Sequence, residues 1–188
     1  MQPYTAKDFS PLLGLPGMSD ALLNNHFTLY QGYVTNTNKL VELMKDKEPG
    51  TPEFAELHRR FGWEWNGMRL HELYFGNLAK GGVTLSERAL KTKIVATWGS
   101  FENWEKEFRG MAAMRGIGWV ILAHDKKDGK LCNIWINEHD GGLLAGTQPL
   151  LVMDVFEHAF MLDYGIKRAD YINAFMSAID WHSVEERV

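Results

Sequence analysis

The chain has 188 residues, 45% of them hydrophobic and 23% charged, with 20 Lys+Arg against 24 Asp+Glu for a formal net charge of -4. This is the composition of a folded globular protein, and its mild acidity, with no Lys/Arg run longer than two, speaks against nucleic acid or a polybasic membrane anchor. The single Cys132 excludes an internal disulfide and a thiolate cluster, so a metal site here has to be built from histidines and carboxylates.

Met1-Gln2-Pro3-Tyr4 has neither the basic start nor the apolar core of a secretory leader, and no apolar stretch approaches the ~20 residues of a membrane span. With one cysteine, this predicts a cytoplasmic protein. Pro3, Pro11, Gly14, Pro16 and Gly17 predict an irregular leader over residues 1–17. A helix then runs from about Ser19 to Lys47, on apolar residues from Leu22 to Met44 at close to the 3.6-residue period. Glu48-Pro49-Gly50 stops it. Thr51-Pro52-Glu53 opens a second helix, predicted to reach Ala79-Lys80 before Gly81-Gly82. Two long helices and a short loop make an antiparallel hairpin. Thr84 and Glu87 are spaced as a capping box ahead of a helix over 89–98, and Gly99-Ser100 opens another to about Met114. The period then changes: Trp119 to Ala123, an Asp128-Gly129 turn and Leu131 to Ile136 read as a β-hairpin, and Leu150 to Met153 as a short buried strand. Residues 164–181 return to helix. The predicted class is α+β, with an N-terminal helical hairpin domain over 1–82 and a C-terminal domain over 83–188 whose small three-stranded antiparallel sheet is flanked by helices.

Three groups of residues could carry chemistry. His26 shares a helix face with Tyr30 and Tyr33, where a buried aromatic stripe with one hydrogen-bonded histidine would look the same. His71 lies one turn beyond Gly67, and a glycine inside a helix costs about 1 kcal/mol, so a neighbour needs that space; helix packing alone could be the reason. The apolar strand that ends in Asp154 is followed four residues later by His158, and a buried aspartate needs a partner or a cation unless it sits in a solvated turn. Three imidazoles and one carboxylate would suit redox iron or manganese, and zinc tolerates the same donors.

These residues resemble the iron/manganese superoxide dismutases. The likeness stands on His26 with Tyr33-Val34-Thr35-Asn36-Thr37-Asn38, His71-Glu72-Leu73-Tyr74-Phe75 with Gly81-Gly82, Gly99-Ser100-Phe101, Gly116-Ile117-Gly118-Trp119, and Asp154-Val155-Phe156-Glu157-His158-Ala159 with Asp163-Tyr164. It implies disproportionation of superoxide at one iron ion per subunit, or alternatively manganese, ligated by His26, His71, Asp154 and His158 between the two domains. It further implies that Tyr33 guards the entrance, that Trp119 walls the cavity with Phe156 where tryptophan is more usual, and that Glu157 reaches across a homodimer interface.

Two departures from the family pattern stand out. Family members place a glutamine against the metal-bound solvent from the position of Gly67 or of His139, so His139 is expected to take that role. A family histidine one turn after the first ligand pairs with a partner tyrosine matched here by Tyr164; Tyr30 replaces that histidine, and one residue has been lost before Tyr33. This leaves the interfacial proton relay in question. The competing readings are a dismutase-like metal-binding or interaction protein with little turnover, and a mononuclear iron oxygenase or zinc hydrolase.

Overall fold

The computed structural model describes residues 2–188; Met1 of the leader lies outside the described residues. The leader is irregular as expected, apart from a 3-10 turn at Ser10–Leu12. Ser19 caps the first long helix, its hydroxyl accepting the Leu22 N–H, and α1 runs Asp20–Lys45. Thr51 caps the second in the same way with Pro52 in its first turn, and α2 runs Pro52–Phe75. Contacts between the two are antiparallel. His26 meets Phe75 at 4.9 Å between ring centroids, Tyr30 donates to Glu72 at 3.1 Å, and Asn36 donates to Glu64 at 3.3 Å. α1 is regular α-helix throughout, with no bulge ahead of Tyr33.

α2 stops at Phe75, short of the expected Lys80. The Asn77 side chain donates to the Val152 carbonyl at 2.6 Å, and Leu78 bridges to Ile179, which turns the backbone away from the helix axis. Next come α3 (Ala89–Trp98) and α4 (Phe101–Ala112). Ser100 caps α4 through the Asn103 N–H, whereas the Thr84/Glu87 capping box does not form. Arg88 is the cap residue of α3 and makes no side-chain bond there, while the nearby Ser86 hydroxyl goes to Glu185 at 2.6 Å.

Three strands form one antiparallel sheet in the order β2-β1-β3, with β1 Gly118–Asp125, β2 Lys130–Asn137 and β3 Thr147–Asp154. Its central strand is buried from Trp119 to Ala123, as a strand covered on both faces should be. Register places Trp119 opposite Asp154, so the start of β1 and the last residue of β3 meet at one end of the sheet. The helix predicted over 164–181 is shorter: α5 (Met161–Tyr164) ends where the prediction begins, α6 (Arg168–Ser177) covers the middle, and α7 (Trp181–Glu185) starts where the prediction ends. Gly165, at φ 55, takes the left-handed turn that separates the first two.

Candidate metal centre

Four side chains from three places in the chain converge. His26 comes from the second turn of α1 and His71 from the last turns of α2. Asp154 ends β3, and His158 follows in a 3-10 turn at Glu157–Ala159. One donor atom from each lies within 4.8 Å of all the others. The Nε2 atoms of His158, His26 and His71 stand 3.0, 3.2 and 3.6 Å from the same Asp154 Oδ2.

Backbone contacts aim these donors. His71 Nδ1–H donates to the Gly67 carbonyl at 2.6 Å, which leaves its Nε2 lone pair turned inward. The other Asp154 oxygen accepts the Phe156 N–H at 2.8 Å, and the Tyr171 hydroxyl donates to the Asp154 carbonyl at 2.7 Å. His26 Nε2 and His71 Nε2 are fully buried without a hydrogen-bond partner. Orphaned nitrogens around one carboxylate oxygen are what a bound cation would satisfy, so the N3O donor set fits iron or manganese.

The electrostatics agree. Burial lowers the pKa of His26 and of His71, so both imidazoles are neutral, the form that ligates metal. Burial would raise the Asp154 carboxyl, but the charge and hydrogen bond of His158, together with His26, outweigh it and hold the group well below the usual carboxylate range.

Around the donors stands a wall of rings. Trp119 is fully buried with its ring 4.9 Å from His71, and Phe156 stacks between His139 at 4.8 Å and His158 at 5.1 Å. Tyr33 stacks on His71 at 5.1 Å, and a Cβ on Gly67 would come within 2.5 Å of the Tyr33 ring. That ring is the neighbour that needs the space. His139 is fully buried, and the Trp119 indole N–H donates to its Nδ1 at 3.0 Å. Indole can only donate, so the proton of neutral His139 sits on Nε2, 2.7 Å from the Tyr33 hydroxyl. Burial first, then the charges of His158 and Arg60, bring the His139 pKa down to about 4 against the pull of Asp154.

Tyr30, Tyr164 and Glu157 are not gathered here. The Tyr30 hydroxyl accepts the Lys7 N–H at 2.9 Å and donates to Glu72, and burial pushes its pKa up to about 12. Tyr164 donates to the Gly17 carbonyl of its own chain, and Glu157 is exposed. These are contacts within one chain, whereas the relay that the resemblance implied runs between a histidine, replaced here by Tyr30, and a tyrosine of the partner subunit.

Sequence reasoning missed three neighbours. Trp63 meets the His139 ring at 4.9 Å, Glu64 is buried nearby, and Tyr171 holds the Asp154 backbone. Trp63 and Glu64 lie two turns before His71 on α2, a spacing that could have flagged them; nothing local marks Tyr171.

Residues 86–187 match the family model described as iron/manganese superoxide dismutases, C-terminal domain. A protein of Cupriavidus metallidurans named superoxide dismutase [Fe] is 38% identical over 179 residues, covering 92% of this chain and 89% of the relative. One of Haloferax volcanii named superoxide dismutase [Mn] 2 is 36% identical over 171 residues, with 88% and 84% covered, and one of Aquifex aeolicus named superoxide dismutase [Fe] is 36% identical over 190 residues, with 96% and 89% covered. Shared sequence over almost the full length, with four donors meeting where the motifs put them, places this chain in the iron/manganese superoxide dismutase family.

Proposed function

We propose that the protein disproportionates superoxide to oxygen and hydrogen peroxide, with His26, His71, Asp154 and His158 holding one iron ion, or alternatively manganese, per subunit. The observation that carries this reading is the pair of orphaned Nε2 atoms, His26 and His71, converging with His158 on one Asp154 oxygen. The bound ion supplies one-electron chemistry by cycling between its trivalent and divalent states. Everything else falls to the chain. With the ion bound and the imidazoles deprotonated to ligate it, three nitrogens and one carboxylate would keep the net charge of the site low, so that an electron can arrive together with a proton. Trp119 and Phe156 exclude bulk water. Tyr33 and His139, joined at 2.7 Å, form the polar side of the cavity and hand protons to the reduced product. His139 stands where the family's sheet glutamine would come, but its Nδ1 accepts from Trp119 and its single Nε2 proton faces the Tyr33 hydroxyl, so its link to the solvent position runs through Tyr33.

Division near residue 82 assigns two donors to each domain: His26 and His71 to the first, Asp154 and His158 to the second. A homodimer is supported by exposed Glu157 beside Met161, Leu162 and Ile166, which are 46%, 58% and 92% exposed. The chain has no helix long and apolar enough to cross a membrane among the described residues. The cytoplasmic reading rests on its single cysteine.

The test is to load purified protein separately with iron and with manganese, verify one ion per chain by elemental analysis, and follow superoxide decay. At least one form should act far above the free ion. A fully loaded protein no faster than its ion would leave a metal-binding or interaction protein. Zinc as the native metal would favour the hydrolase.

A further inference from the structure

A chain of net charge -4 repels a small anion at long range, so delivery to the centre depends on local cations. Arg60, on α2, bears electrostatically on both Tyr33 and His139, the polar side of the cavity. Its side chain is 45% exposed, so the guanidinium meets solvent. It is nevertheless held in place. Nε donates to Glu64 Oε1 at 2.9 Å, a terminal nitrogen lies 2.7 Å from the same oxygen, and the guanidinium carbon stands 5.1 Å from the centroid of the Trp63 ring. Trp63 in turn meets His139 at 4.9 Å, so an unbroken line of contacts leads from the solvent-facing cation to the cavity.

Glu64 sharpens the point. Its side chain is only 4% exposed, it belongs to no ligand set, and its second oxygen accepts from Asn36 at 3.3 Å. Its negative charge reaches Tyr33. A buried carboxylate whose charge bears on Tyr33 would repel an anionic substrate, yet here it fixes a guanidinium whose remaining N–H groups are free to face the solvent.

We propose that Arg60, clamped between Glu64 and Trp63, is the cation that steers the substrate into the cavity, with Glu64 as its positioning residue. The inference rests on the superoxide reading for the identity of the anion. Its geometry applies to any small anion.

The experiment compares metal-loaded wild type with Arg60→Met, Arg60→Lys and the double variant R60M/E64Q. It measures kcat/KM for superoxide across ionic strength, the dissociation constant of azide from the optical titration of the iron form, and metal content. At about 0.01 M salt, R60M should lose about two- to fivefold in kcat/KM and weaken azide by a similar factor, without losing metal. The loss should vanish near 1 M, where the screening length is about 3 Å. R60K should recover most of it, because the charge returns. R60M/E64Q should exceed R60M, because the uncompensated carboxylate has gone; a merely structural role predicts the opposite order. Wild-type values for R60M at low salt, or a deficit that persists at 1 M, would overturn the proposal. If loaded wild type fails to consume superoxide while azide binding still follows Arg60, the enzyme reading falls and the anion-steering role stands.

Discussion

The two ends of β1 each bury histidines whose ring nitrogens lack partners, and they come to different ends. At the Trp119 end, His26 and His71 offer free Nε2 atoms to an aspartate placed opposite Trp119 by strand register. At the other end His124, 8% exposed, has neither ring nitrogen hydrogen-bonded, and the positive charges of Lys93 and Lys126 bear on it. Orphaned imidazoles alone do not make a metal centre. A second and third imidazole and a shared carboxylate do, and a neighbourhood of ammonium groups repels a cation. Among the described residues, one His/Asp group has the convergence a metal requires, and it lies at the Trp119 end.

The hardest blow to this contrast is Asp154→Asn. The amide can keep the Phe156 N–H bond, so the fold has reason to survive, but the anionic focus of the three imidazoles is lost. Changes outside the ligand set typically cost about 10- to 100-fold in metal affinity, so removing this charge should cost more than about 100-fold, with activity falling alongside. Metal content after dialysis, with circular dichroism to verify folding, measures it. An Asn variant that keeps its ion would show that the carboxylate is not what separates the two ends of the strand.

A milder disturbance of the same end is Gly67→Ala. Helix propensity alone would favour alanine by about 1 kcal/mol. The new methyl would lie within 2.5 Å of the Tyr33 ring, however, and overpacking of this kind costs about 1–3 kcal/mol. The ring has to shift, and with it the 2.7 Å contact to His139. A lower melting temperature and a several-fold drop in turnover are expected, with metal retained. A stabilised, fully active variant would mean that Tyr33 can move at no cost.

How far the sequence reaches follows the same division between local and distant causes. Ser19, Thr51 with Pro52, and Ser100 mark helix starts through side-chain caps three residues from the backbone they serve, and all three appear where read. The hairpin of β1 and β2 was legible from the Asp128-Gly129 turn for the same reason. Thr84 and Glu87 have the spacing of a cap but lose it because this segment docks on the C-terminus, where Ser86 bonds Glu185. The early end of α2 and the break after Ser177 likewise answer to partners far along the chain, such as the Asn77 carbonyl that accepts the Asp180 N–H at 2.6 Å. The four converging donors were named through several motifs in order, not through any one spacing. Trp63, Glu64 and Arg60 carry no such motif; the two-turn spacing before His71 places Trp63 and Glu64 on its side of α2, but only the folded arrangement shows what they touch.

The smallest effect tests the quieter end of the sheet. Burial first, then Lys93 and Lys126, lowers the pKa of His124 from its usual 6.5. The unfolded chain therefore takes up a proton near that ordinary value while the folded chain does not. Stability rises with pH wherever the unfolded state binds more protons, so this residue's contribution is fully present above 6.5 and is lost as pH falls toward the folded value. His124→Gln removes the titration, since an amide stays neutral throughout. The difference between wild type and variant in denaturant midpoint should thus be constant above about pH 7 and shift in the variant's favour between about pH 6 and 5. The remaining histidines are the same in both proteins and cancel from the comparison. A difference independent of pH would mean that His124 accepts a proton in the folded state as readily as in the unfolded one, and the lysines around it would then have no part in keeping this end of β1 free of charge.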